Sequence, residues 1–169
     1  MPINFFINNC TTSLNDKLFG ICDDISQPYA YTSIINSNKW IAIVENKNGH
    51  DITFIAIDHC LGLKKPNGHI DSSCDAMLAY DNNQKIVFIE LKERNGKPKK
   101  WIDDGEAQLK NTIIHFIQNG NNLSTFNSKK AYLANNKHPK FRSSMKERMN
   151  KFHKETGVLF IIKNKIELD

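Results

Sequence analysis

Apolar residues recur at helical spacing in one N-terminal segment and at strand-like spacing in most of the later ones. Within residues 8–24, Leu14, Leu18 and Ile21 lie three or four positions apart, and a threonine or serine before them can cap a helix. The proline at position 28 breaks this pattern. The segment therefore predicts a short helix near the start of the chain.

Four short apolar runs follow, and they predict two hairpins. Residues 40–44 and 52–57 flank a polar turn that contains Gly49. Residues 74–80 and 85–92 flank an Asp-Asn-Asn-Gln segment, which is typical of tight turns. The last of these runs is apolar on both faces, so we expect it to lie in the middle of a sheet.

The remaining pattern alternates helices and strands. It predicts a helix from Asp103 or Asp104 to about Gly120, followed by a strand over residues 130–134. A second helix begins at a capping box, Ser144–Glu147, and ends at Gly157. A last strand covers residues 158–162. This order of elements predicts an α/β protein of the mixed α+β kind, in which helices flank a central mixed β-sheet. The length of 169 residues predicts one domain over residues 1–169.

Composition and charge indicate a globular protein with a basic surface. Hydrophobic residues make up 40% of the chain and charged residues 24%, as in ordinary globular proteins. Lys and Arg number 23 against 18 Asp and Glu, and the resulting net charge of +5 favours polyanionic partners. No apolar stretch approaches the length of a membrane span, and the start lacks a signal-peptide pattern. We therefore expect a cytoplasmic protein without a membrane partner, whose four cysteines are free thiols.

The second hairpin brings acidic and basic side chains together. A turn centred near residues 82–83 would place Asp75 beside Glu90, and strand alternation puts Lys92 on the same face as Glu90. Two carboxylates this close repel each other and are costly to bury without a compensating cation. Mg²⁺ characteristically binds one or two carboxylates together with substrate phosphate. The three residues therefore predict a metal-dependent site that acts on phosphate groups.

Asp75, fourteen intervening residues and then Glu90-Leu91-Lys92 at the end of an apolar strand resemble the motif of the PD-(D/E)xK nuclease superfamily. The resemblance implies a restriction-endonuclease-like core over approximately residues 40–135. It implies that Asp75, Glu90 and the Leu91 carbonyl bind Mg²⁺ or Mn²⁺ and that Lys92 is the catalytic lysine. The implied reaction is phosphodiester hydrolysis, with DNA favoured over RNA as the substrate. Cys74 stands where the motif has proline.

The resemblance also implies accessory residues around the site. Members of this superfamily often add an acidic residue, and five candidates precede the motif: Asp16, Asp23, Asp24, Glu45 and Asp58. We favour Asp58, because it ends a predicted strand just before the hairpin. Gln108, on the helix after the motif, matches a glutamine found near the site in some branches, although Thr112 replaces its usual tyrosine partner.

Two basic segments could contact a polyanion. The loop that follows Lys92 is the better placed, and we predict that it binds nucleic acid through Arg94, Lys97, Lys99 and Lys100. Trp101 closes this loop and is expected to cover the core. The later helix carries a basic face formed by Lys146, Arg148, Lys151 and Lys154. That face fits phosphate contact and simple solvation equally well.

Other interpretations of the sequence have weaker support. The His59-Cys60 and His69…Cys74 pairs match no standard zinc spacing, so buried thiols and surface histidines are the better interpretation. The alternative function is a catalytically inactive module of the same fold that binds nucleic acid or protein. A homodimer would suit double-strand cleavage, but no residue pattern requires one.

Overall fold

The chain folds into two mixed β-sheets and two α-helices, an α/β architecture of the class that the pattern predicted; the computed structural model describes residues 2–138 and 145–169. The strands are β1 (Thr11–Leu14), β2 (Leu18–Cys22), β3 (Tyr31–Ser33), β4 (Ala42–Glu45), β5 (Ile52–Ala56), β6 (Ala76–Tyr80), β7 (Lys85–Lys92), β8 (Ser128–Asn135), β9 (Leu159–Ile162) and β10 (Lys165–Glu167). The helices are α1 (Pro98–Gln118) and α2 (Lys146–Thr156), with short 3₁₀ helices at Ser37–Lys39 and Leu123–Thr125.

The larger sheet has the strand order β1-β5-β6-β7-β8-β9, and the smaller has the order β10-β4-β2-β3. In the larger sheet the pairs from β1 to β7 are antiparallel, whereas β7, β8 and β9 run parallel. β7 therefore lies in the interior of the sheet, as its apolar sequence predicted.

Side-chain alternation in β7 divides the core into two layers. Ile86 and Phe88 point to the side of the sheet that α1 and α2 cover, and they pack in one hydrophobic cluster. Val87 and Ile89 point to the opposite side and pack in a second cluster with residues of the smaller sheet. The larger sheet is thus the middle layer between the helices and the smaller sheet.

The hairpin of β6 and β7 has the predicted register. Ala76 pairs with Ile89 at the open end, and Tyr80 pairs with Lys85 beside the turn. All three turn residues, 81–83, have positive φ, which Asp and Asn adopt more readily than most residues. The turn chemistry and the alternation of side chains were therefore sufficient to set this register.

The predicted helix over residues 8–24 is wrong, since this segment forms β1 and β2. Phe19 and Ile21 pack in the hydrophobic cluster between the sheets, and every residue of β2 except Leu18 is buried, so the strand is covered on both faces. Gly20 lies under the indole of Trp40, and a Cβ there would come within 1.9 Å of the ring. Pairing with distant strands and this close approach outweigh the local helical spacing.

The first predicted hairpin is also wrong, although both of its strands exist. β4 belongs to the smaller sheet and β5 to the larger. Asn46, fully buried after β4, redirects the chain, because its side chain accepts a hydrogen bond from His50 N and donates to the His50 carbonyl. It also donates to the Asp16 carbonyl. The connection therefore crosses between sheets instead of closing a hairpin.

Helix boundaries differ from the predicted ones for identifiable reasons. α1 begins at Pro98 rather than at Asp103 or Asp104, because proline suits the first position of a helix. Gly157 ends α2 with a left-handed backbone, as predicted. Ser144, the predicted capping residue, lies outside the described residues. The short β10 was not predicted and pairs in parallel with β4.

The cysteines divide into two kinds. Cys10 and Cys60 form a disulfide, so the prediction of four free thiols is wrong for this pair. The two residues lie 50 positions apart, and no spacing rule linked them. Cys22 and Cys74 are free and buried, where desolvation raises the pKa of both thiols. Neither described helix is long and apolar enough to cross a membrane.

Candidate active site

The open end of the β6–β7 hairpin brings Asp75, Glu90 and Lys92 together, as predicted. Asp75 is the residue before β6, and the register of Ala76 with Ile89 places it beside Glu90. Both carboxylates are buried, with 7% of Asp75 and 2% of Glu90 exposed. Lys92 Nζ lies 2.7 Å from Glu90 Oε1. The three side chains thus meet on the face of the larger sheet that α1 covers.

Hydrogen bonds hold the side chains of Asp75 and Lys92, but they leave one carboxylate oxygen of Glu90 without a partner among the described residues. The Leu91 backbone N–H donates to Asp75 Oδ2 at 2.6 Å. Lys92 Nζ donates to Gln108 Oε1 at 2.8 Å, which brings the predicted accessory glutamine into contact with the site. Among the described residues, Glu90 Oε2 is buried without a hydrogen-bond partner. A buried carboxylate oxygen without a partner carries a desolvation cost that a ligand could remove.

Burial is the largest cause of the raised pKa values of both carboxyl groups. Desolvation raises the pKa of Asp75 to about 7, against an opposing hydrogen bond from Leu91 N. The pKa of Glu90 is also well above its ordinary value, first through burial and then through the charge of Asp75. Both carboxylates therefore resist full ionisation unless additional positive charge arrives.

Two of the five acidic candidates approach this pair. The charges of Asp23 and Asp58 both raise the pKa of Asp75, which places these side chains in its neighbourhood. Asp58 accepts a hydrogen bond from Ser73 Oγ and lies 3.2 Å from His59 Nε2. The site therefore has acidic side chains beyond the motif itself.

The other acidic candidates have different partners. Asp24 accepts hydrogen bonds from Ser26 and Tyr31, and these lower its pKa to about 2. Glu45 pairs with Lys165 of β10 at 2.8 Å. No described contact links either carboxylate, or that of Asp16, with the buried pair.

Helix α1 packs closely against Glu90 because it carries a glycine at the contact. A Cβ at Gly105 would lie 2.5 Å from Leu133 Cδ1 and 3.4 Å from Glu90 Cγ. The absent side chain lets the helix backbone approach the strand that carries the motif. This approach brings Gln108, one turn further along α1, within reach of Lys92.

The basic loop is shorter than predicted, because α1 begins at Pro98 and includes its last two lysines. Arg94 and Lys97 of the loop, with Lys100 in the first turn of α1, line a cavity of about 340 Å³. Asn135 anchors the loop, since its buried side chain accepts from Arg94 N and donates to the Arg94 carbonyl. Lys99 instead pairs with Asp103 at 2.9 Å. Three of the four predicted nucleic-acid contacts thus share one cavity next to the site.

Trp101, beside the basic loop, and the basic face of α2 are less available for contact with nucleic acid. Trp101 is 3% exposed, which agrees with its predicted role in covering the core. Arg148 forms ion pairs with Asp103 and Glu106 of α1. Lys151 lies 3.8 Å from Glu155. Arg148, at least, serves the packing of α2 on α1, which favours the structural interpretation of that face.

The sequence prediction missed the polar residues through which α1 holds the segment before Asp75. Thr112 accepts a hydrogen bond from Cys74 N at 2.7 Å, and His115 Nε2 lies 2.9 Å from Asp71 Oδ2. A signal for them exists, because Gln108, Thr112 and His115 recur at helical spacing.

Within residues 2–138 and 145–169, no group of three or more His, Cys, Asp and Glu side chains is arranged to hold a metal ion. No protein-family model matches the chain, and neither a curated protein nor a solved structure matches it significantly.

Proposed function

We propose that this protein is a metal-dependent nuclease that hydrolyses phosphodiester bonds, with DNA as the favoured substrate. The observation that carries the proposal is the buried Asp75–Glu90 pair with Lys92 beside it. Proteins do not ordinarily bury two neighbouring carboxylates whose pKa values are both raised, since the arrangement costs stability. Such perturbed groups are typical of functional sites.

The donor set fits Mg²⁺ or Mn²⁺. These ions accept one or two carboxylates and complete their coordination with water and substrate oxygens, so a two-carboxylate site without a third acidic ligand suits them. Asp75 and Glu90 would hold the ion, with the Leu91 carbonyl as a further oxygen ligand. When bound, the ion would neutralise the pair, withdraw charge from the scissile phosphate and make a water molecule more acidic.

Lys92 is the residue placed to act on the substrate. Its ammonium contacts Glu90 and Gln108, so two acceptors fix its orientation at the site. In that position it would orient the attacking water or offset the charge that develops on the phosphate. Gln108 acts through Lys92 and is a positioning residue in this scheme.

The basic loop provides a surface for the substrate backbone. Arg94, Lys97 and Lys100 line one cavity directly after the motif strand, where they would contact phosphates that flank the scissile bond. The N-terminus of α1 lies in the same place and also favours anions. Binding through these contacts should weaken as salt concentration rises.

The test is a cleavage assay with the purified protein on plasmid, linear duplex, single-stranded DNA and RNA. We expect cleavage that needs Mg²⁺ or Mn²⁺ and stops with a chelator. Lys92→Ala should lower the rate by ~100-fold or more, because a preorganised charge at the phosphate is removed. Lys151→Ala is the matched control, since it removes an exposed lysine on α2.

Two results would reject the nuclease. One is the absence of cleavage of every substrate at high protein concentration, and the other is equal cleavage by the Lys92→Ala variant. The second candidate function is a binding module without catalysis. Arg94, Lys97 and Lys100, which line one cavity, would bind a polyanion with or without catalysis, and salt-sensitive nucleic-acid binding without cleavage would establish the binding module.

A further inference from the structure

Four consecutive residues before β6 are each tied by a hydrogen bond or ion pair to α1. The pairings, in chain order, are Asp71 with His115, Ser72 with Asn111, Ser73 with Gln108 and Cys74 with Thr112. The next residue along the chain is Asp75. We call Gln108, Asn111, Thr112 and His115 the α1 clamp.

The buried end of the clamp lies nearest to the carboxylate pair. Thr112 is fully buried, and its Oγ1 accepts from Cys74 N while donating to the Gln108 carbonyl. The buried Cys74 amide is therefore satisfied by a side chain of α1. Because Cys74 directly precedes Asp75, this bond sets the backbone position from which the carboxylate projects.

Gln108 joins the clamp to the other half of the site. Its Nε2 donates to the Ser73 carbonyl at 3.2 Å, and its Oε1 accepts from Lys92 Nζ at 2.8 Å. One side chain thus holds both the segment that carries Asp75 and the ammonium on β7. A displacement of α1 would move both together.

We propose that the α1 clamp positions the Asp75 carboxylate against Glu90 and Lys92, with Thr112 as its principal positioning residue. This inference rests on the proposed function, because a fixed carboxylate separation serves the binding of a divalent cation. Packing alone does not require it, since Leu, Ile and Phe side chains of α1 already seal the core. Groups that hold metal ligands in place commonly change affinity by ~10- to 100-fold when removed.

The chain offers a matched control on the other helix. Thr156 Oγ1 donates to the Phe152 carbonyl and accepts from Val158 N, the same pair of bonds that Thr112 makes. Thr112→Val and Thr156→Val remove the same hydroxyl with almost no change of shape. Only the first removes a partner of the segment that leads to Asp75. Thr112→Ser keeps the hydroxyl and should restore the behaviour of the unmodified protein.

The first measurement is amide hydrogen exchange in the absence of metal. The Leu91 N–H donates to Asp75 Oδ2, so its exchange rate reports directly on the position of that carboxylate. We expect Thr112→Val to accelerate Leu91 exchange by about tenfold more than it accelerates exchange at Val87 in the same strand. Thr156→Val should accelerate both amides equally.

The second measurement is calorimetric titration of the same proteins with Mn²⁺. Thr112→Val should weaken binding by ~10-fold or more, whereas Thr112→Ser and Thr156→Val should leave the affinity unchanged. If Thr112→Val does not fold, His115→Ala releases Asp71 at the more accessible end of the clamp and should act in the same direction.

The outcomes separate this inference from the proposed function. Equal effects of Thr112→Val and Thr156→Val on Leu91 exchange would overturn the positioning role. Selective loss of Leu91 protection in a protein that binds no Mn²⁺ would support the clamp and reject the metal site. Selective loss of protection with unchanged Mn²⁺ affinity would show that the clamp does not serve the cation, and would overturn the inference as stated.

Discussion

Two groups of charged side chains lie on either side of α1, and the pKa values of their carboxyl groups are shifted in opposite directions. One is the Asp75–Glu90–Lys92 site. The other, which we call the α1–α2 ion network, consists of Asp103, Glu106, Lys110, Arg148 and Glu155. In the network, Lys110 bridges Glu106 and Glu155, while Arg148 bridges Glu106 and Asp103. Each carboxylate therefore has a cationic partner.

The direction of the pKa shifts expresses the difference. In the network, hydrogen bonds from Lys99 and Arg148 lower the pKa of Asp103, and Lys110 lowers that of Glu155. At the site, burial raises the pKa of Asp75 and of Glu90, and the charges of nearby carboxylates add to both shifts. Ionisation in the folded state is thus favoured at Asp103 and Glu155 but disfavoured at the site. A cost of this kind in an otherwise well-packed protein indicates a function.

The largest effect should follow removal of one charge from the site. Asp75→Asn should raise the free energy of unfolding at pH 8 by roughly 4 kcal/mol, because a carboxylate with a pKa of about 7 no longer has to ionise in the folded state. The asparagine oxygen can still accept from Leu91 N. Urea denaturation of both proteins at pH 8 and pH 5 measures the change. A loss of stability of equal size at both pH values would contradict the account.

The contributions of the two regions to the free energy of unfolding depend on pH with opposite signs. Since the folded protein holds the Asp75 proton more tightly than the unfolded chain, this group favours folding below pH ~4, and its contribution is lost as the pH rises to about 7. Asp103 and Glu155 act in the opposite sense, since their contribution is lost as the pH falls. The stability difference between the unmodified protein and Asp75→Asn, followed across this range, isolates the site.

A smaller effect of opposite sign should follow removal of a charge from the network. Arg148→Ala should lower the free energy of unfolding by about 2 kcal/mol, because the buried Glu106 and the half-buried Asp103 lose a charged hydrogen-bond donor. Mn²⁺ affinity should not change. Lys151→Ala, on the same helix, should stay within ~0.5 kcal/mol of the unmodified protein in urea denaturation. A selective loss of Mn²⁺ binding in Arg148→Ala would mean that the two regions are not independent.

The smallest effect concerns the helix that separates the two regions. Gly105→Ala should cost about 1 kcal/mol, because the new methyl group displaces the Leu133 side chain and presses α1 away from Glu90. Gly96→Ala is its control, since a Cβ there meets no atom within 4 Å. Thermal unfolding of both variants measures the difference. A Gly105→Ala protein as stable as Gly96→Ala would show that α1 does not need this close approach.

The part of the fold that could be predicted from sequence is the part that local rules determine. Three consecutive residues that tolerate positive φ set the β6–β7 turn, and period-two alternation then fixes which side chains meet. Asp75, Glu90 and Lys92 were therefore placed together correctly. β7 was identified as an interior strand for a similarly local reason, namely that both of its faces are apolar.

Features that depend on distant partners could not be predicted. Residues 8–24 carry apolar residues at a spacing that fits either structure, and pairing with β4 and β5 decided for strands. The buried Asn46 side chain sends β4 and β5 into different sheets, which no turn rule indicated. The α1 clamp went unnoticed because a polar stripe on a helix usually faces solvent. Here it faces the segment before Asp75.

We propose that Asp75 and Glu90 are buried together in order to hold a divalent cation, and calorimetric titration with Mn²⁺ at pH 6 and pH 8 decides whether they do. We expect binding that strengthens as the pH rises, since Asp75 must lose a proton to bind. Binding should weaken strongly in Asp75→Asn and Glu90→Gln but not in Arg148→Ala. Absence of Mn²⁺ binding at both pH values, or equal affinity in Asp75→Asn and the unmodified protein, would contradict it.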